Sequence, residues 1–136
     1  MVHAHEDEED HHPYWYGRII GVFHALVRHV GPTSRLTEVH RMDFLWVRWF
    51  GWDLGFQSGW TAKRLHRLGF MDAMDVGSFG FINPDDVIRA VHLIPGFNLG
   101  RTSNLLGPSI ARPASEMNED WTYYYVNPYV SLLSSL

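Results

Sequence analysis

"HPYWYGRIIGVFHA", residues 12–25, decides how this chain is read. His11 and His12 follow an acidic run and suggest a metal site, whereas Tyr14, Trp15, Tyr16, Ile19, Ile20, Val22 and Phe23 suggest a sheet. Alternation places Tyr14, Tyr16, Ile20 and Val22 on one face and Trp15, Ile19, Phe23 and Ala25 on the other. Helical spacing also fits Ile19, Phe23, Leu26 and Val30, so periodicity alone does not choose. The β-branched and aromatic enrichment, with Gly17 and Gly21 inside the run, predicts a long, curved strand from Tyr14 to Val27. Pro13 restricts His12 to extended backbone. The two histidines therefore mark a boundary, and architecture begins at Tyr14.

Working outward, residues 1–12 read as a charged, histidine-bearing tail with no hydrophobic period, which predicts disorder. Residues 13–130 form the folded module, and residues 131–136 (SLLSSL) a loose end. Gly31-Pro32-Thr33-Ser34 marks a turn, and residues 31–41 a polar connection. Met42 to Phe50 (MDFLWVRWF) is the clearest strand. Leu45, Val47 and Trp49 face one way, and Phe44, Trp46, Arg48 and Phe50 the other. The glycine-punctuated, aromatic stretch 51–62 suits a packed loop. Arg64 to Phe70, Val87 to Ile94 and Trp121 to Val126 read as further strands, with loop-like sequence over 98–118. Asn83 fits an N-cap, with Pro84 at the first helical position and Asp85 and Asp86 in a first turn that cannot continue. The pattern predicts an all-β fold: a small, partly open barrel of five to seven strands with long loops and one short helical turn. Closure of that kind limits exposed strand edges.

Composition bounds the function. The 136 residues are one domain by length, or a piece of a longer protein, and 46% hydrophobic content supplies a core. No apolar run is long enough for a membrane helix, and the start lacks the basic and apolar regions of a signal peptide. Zero cysteines exclude disulfides and thiolate zinc sites and point to an intracellular setting. Glu6, Asp7, Glu8, Glu9 and Asp10 are five of the 15 acids, so residues 11–136 carry 11 bases against 10 acids, about +1. Ten of those bases are arginine, the residue suited to planar, bidentate recognition.

The succession HPYWYGRIIGVFHA (12–25), MDFLWVRWFGWD (42–53), KRLHRLGF (63–70), FGFINPDDVIRAVHLIPGF (79–97), LLGPSIAR (105–112) and DWTYYYVNPYV (120–130) resembles a module of fungal proteins. That module lies near the C-terminus of large transposon-encoded proteins of basidiomycetes, of the Plavaka or KDZ type. The order of elements is also similar to a bromo-adjacent homology (BAH) or SH3-like barrel. The resemblance implies an accessory, nuclear module that lacks the catalytic carboxylates of transposition.

Candidate sites follow from residue chemistry. His3, His5, His11 and His12 sit on the tail without fixed geometry. His24 and His29 share neither a helix face nor a strand face, and His40, His66 and His92 lie on separate elements whose convergence only a structure decides, so no metal site is assigned. No nucleophile motif, phosphate loop or positioned carboxylate pair occurs, so neither catalysis nor a cofactor is expected. Tyr14, Trp15, Tyr16, Trp46, Trp49, Trp52 and Trp60 either fill the core or supply a recognition surface. In the second case Trp46, Trp49, Trp52 and Tyr16, with Asp43 or Asp53, form an aromatic cage for a methylated histone lysine, as the BAH resemblance implies. Arg41, Arg48, Lys63, Arg64 and Arg67 are the set for weak, salt-sensitive DNA contact. Against it, Arg18 and Arg48, flanked by Trp and Tyr, suit pairing with acids inside the fold. The leading expectation is a non-enzymatic chromatin- or protein-interaction module derived from a mobile element. An accessory DNA-binding module and an inactive remnant are the alternatives.

Overall fold

The computed structural model describes residues 1–3, 14–28, 30–31, 38–53, 55–58 and 63–127. Trp60, His5, His11, His12, His29 and the end 131–136 lie outside them. The fold is all-β. The strands are β1 (Val2–His3), β2 (Tyr14–Trp15), β3 (Gly17–Arg28), β4 (Val39–Trp52), β5 (Arg67–Phe70), β6 (Phe79–Ile82), β7 (His92–Pro95), β8 (Arg101–Thr102), β9 (Asp120–Trp121) and β10 (Tyr124–Asn127). Six form the main sheet, in the order β3-β4-β5-β10-β7 with β6 also on β4. The hydrogen-bonded path ends at β3 and β7, so among the described residues the sheet does not close into a barrel.

The opening stretch is strand, and helical spacing is excluded there. β3 and β4 run antiparallel from Gly17↔Trp49 to Arg28↔Val39, with a register shift between Ile19 and Gly21. That bulge overturns the simple alternation expected for β3. Ile19 lies opposite Val47 and Val22 opposite Leu45, so these two share a face, while Phe23 moves to the other face, opposite Phe44. An inserted residue reverses the parity of everything beyond it.

β4 carries two partners along one edge, β6 at Leu45–Arg48 and β5 at Phe50–Trp52. Its even-numbered face therefore passes from solvent at His40 and Met42, through Phe44 and Trp46, into the core at Phe50. There Phe50 stacks on Phe70 at 4.1 Å and meets Tyr124 edge-on. Tyr16, Leu68 and Val126 complete this cluster, with Trp52, Leu93 and Trp121 around it.

Other expectations need correction. Val2–His3 pair with Tyr14–Trp15, so the tail is built into the fold at its first residues. Val87 to Val91 form no strand; Ile88 N–H instead donates to the Met1 carbonyl. The last strand is divided, because Thr122 turns its N–H and hydroxyl to the Gly100 carbonyl. The helical turn is a 3-10 turn, Pro84–Asp86, whose Asn83 side chain accepts from Asp85 N–H at 3.0 Å, as its cap residues predict.

Candidate functional site

One side of β4 carries a buried ionic base. Arg48 and Asp120 are both 0% exposed and Arg112 is 4% exposed. Arg48 donates to both Asp120 oxygens at 2.7 and 2.9 Å, and Arg112 does the same at 3.0 and 2.9 Å. Arg112 also donates to the Leu106 carbonyl at 2.6 Å, and the Arg48 guanidinium lies 3.8 Å from the centre of the Phe70 ring. Burial would raise the Asp120 carboxyl, yet the hydrogen bonds and charges of the two arginines hold it at about 2. Chain reversal at Met117 and Asn118, both left-handed, leads into the strand that places Asp120 there.

Beyond this base the same face of β3, β4 and β6 is aromatic and open. Phe23 leans across Gly21, where a Cβ would sit 2.6 Å from the ring, and stacks on Phe44 at 5.6 Å. Phe44 meets Phe81 edge-on at 5.4 Å, and Trp46 tilts against Phe79 at 6.0 Å. Phe81 is 67% and Phe23 44% exposed, and Ala25 and Met42 extend the surface. Both ends of this apolar platform are thus fixed: the ion triad below and the exposed β3–β4 ribbon above.

The expected cage does not assemble. Strand alternation sends Trp46 to the platform and Trp49 to the opposite face, against Trp15 at 5.9 Å. Trp52 lies at the core edge, edge-on to Tyr16 at 5.5 Å and to His66 at 5.0 Å. Asp43 is held by Arg41, and Asp53 by Arg67. A cation–π box needs its rings and acid around one point, and these residues occupy separate places.

The basic set is depleted in the same way. Arg48 is removed from it as a correction, because full burial against Asp120 leaves it no contact with a phosphate. Arg67 is committed to Asp53 and to the Phe56 and Tyr123 rings, and Arg41 pairs with Asp43. Lys63 and Arg64 are exposed, with Arg64 over the Phe56 ring at 5.5 Å. Among the described residues no group of three or more histidines and acids is placed to hold a metal; His66 bonds Ser58 at 2.9 Å. No helix of these residues is long and apolar enough to cross a membrane.

Sequence reasoning missed Asp120, Arg112, Phe79 and Phe81. The signal for the last two was present: in FGFI (79–82) the rings alternate around Gly80 and so share a face. Arg112 carried no signal, since it comes from loop-like sequence, and Asp120 had none beyond its place just before the last predicted strand. Neither a protein-family model, nor a curated protein, nor a solved structure matches the chain.

Proposed function

We propose that the chain is a non-enzymatic protein-interaction module that docks a partner on the aromatic face of β3, β4 and β6. One observation carries this reading: five rings share a single sheet face, and two of them stand well exposed to water. Contiguous apolar surface of this kind marks interaction sites in soluble proteins. Covering one such ring fully stabilises a complex by about 1.5–3 kcal/mol before ordering costs are met. The platform itself bears no ion pair, so the partner presents an apolar element rather than a charged one. The fungal transposon resemblance supplies the setting, an accessory domain whose partner is a chromatin or assembly protein in the nucleus.

The test places a photo-crosslinking phenylalanine at Phe81 and, as a control, at exposed Ser103. A single protein labelled from position 81 and not from 103, in nuclear extract of the source cell, supports the reading. Equal labelling from both positions, or labelled DNA bound with steep salt dependence at Lys63 and Arg64, contradicts it.

A further inference from the structure

The sheet stops at β3 and β7, and a cleft of about 350 Å3 lies where both strands contribute to its wall. Ile19, Val47, Trp49, Ile82 and Leu93 make that wall apolar. Two charged side chains line it, Arg18 and Arg89, beside the Met1 α-ammonium, which donates to the Arg89 carbonyl at 3.4 Å, and no described carboxylate does. Arg18 is committed, donating to Glu116 at 3.1 Å and to the Tyr124 hydroxyl at 3.3 Å. Arg89 is exposed and makes no ion pair with a described residue. It faces the same mouth as Tyr16. Burial pushes that phenol up, as does Tyr14, and the Arg89 charge offsets part of the shift.

We infer that this cleft binds an apolar carboxylate, with its chain along Ile19, Val47, Trp49 and Ile82 and its carboxylate on Arg89. The volume sits at the lower end of the range that holds small ligands. The guanidinium fork matches a carboxylate in geometry as well as charge. Chain burial supplies affinity and the arginine supplies discrimination between acid and neutral analogue. A free acid and a peptide C-terminus ending in an apolar residue present the same chemistry. By strand alternation the cleft lies on the opposite side of β4 from the aromatic platform, so neither reading depends on the other.

Calorimetric titration of the full chain with octanoate, octanol, and a Leu-ended tetrapeptide as acid and as amide tests this. One acid molecule binds per chain, about tenfold or more tighter than its neutral analogue, and the Trp49 indole N–H resonance shifts on binding. Arg89→Gln cuts that discrimination several-fold, Arg89→Lys restores part of it, and Ile19→Glu weakens either acid further. Ile19 is 50% exposed and Arg89 is exposed, so these variants keep the fold, which unchanged near-ultraviolet dichroism verifies. Tighter binding of octanoate assigns a free acid, and tighter binding of the peptide acid a chain terminus. Equal binding of acid and neutral analogue overturns the inference, as does no binding of either acid. Discrimination undiminished by Arg89→Gln in a folded protein also overturns it.

Discussion

Replacing Asp120 by Asn isolates the ion triad, because it keeps shape and removes charge. The wild-type carboxylate receives four hydrogen bonds from two guanidinium groups, and none of the three side chains is appreciably exposed. Asn offers one carbonyl oxygen and turns an amide donor toward an arginine, so two buried cations lose their counter-charge. Breaking a buried pair by removing one partner costs about 3–5 kcal/mol. That is a large share of the roughly 5–15 kcal/mol that holds a domain together. With an unfolding entropy of about 2.1 cal/mol/K per residue, the loss lowers Tm by roughly 10–18 °C. Urea unfolding followed by tryptophan fluorescence checks it, with the midpoint shifting at unchanged slope. The apolar replacement Arg48→Met, Arg112→Met, Asp120→Leu recovers most of the loss, since such triads owe little net stability to their charges. A cost below about 1 kcal/mol for Asp120→Asn refutes the reasoning, because charges so placed cannot be that weakly coupled.

Further outcomes follow from the same contacts. The Asp120 carboxyl is depressed from 3.8 to about 2, so its contribution is complete above pH 3.8 and is lost as pH falls through 2. Acid titration should therefore show a loss of roughly 2 kcal/mol across that window, absent in Asp120→Asn. Gly17→Ala puts a Cβ 2.2 Å from the buried Val47 side chain, which must shift from its place, and costs about 1–3 kcal/mol in thermal unfolding. Asn83→Ala loses the cap on Asp85 N–H and costs about 1 kcal/mol by the same assay. Phe81→Asp, at a largely exposed position, loses the edge-on contact with Phe44 and costs no more than about 1.5 kcal/mol, so the protein stays folded.

How much of this was legible varied with the length of the signal. β4 was readable because nine residues rich in aromatic and aliphatic side chains run without Gly or Pro, and its two faces are those of the structure. β3 was readable as strand, but its bulge at Ile20 leaves no mark in composition, so the faces beyond it were exchanged. β1 is two residues long and owes its existence to the partner strand rather than to its own propensity. Val87 to Val91 looked like strand because β-branched residues are enriched there, yet their backbone meets Met1 rather than a sheet neighbour. The candidate cage failed for a reason available beforehand: positions 46 and 49 differ by an odd number and cannot share a strand face. The triad was not available, since it joins β4 to a residue 72 positions away through loop sequence with no period.

In the function proposed above, the platform and not the basic residues recognises the partner. The most direct test is the affinity of the protein captured from position 81, measured by calorimetry against wild type, Phe81→Asp and the pair Lys63→Ala, Arg64→Ala. Binding is expected to weaken at least tenfold for Phe81→Asp and to stay unchanged for the pair. Unchanged binding by Phe81→Asp, with loss in the pair, contradicts it.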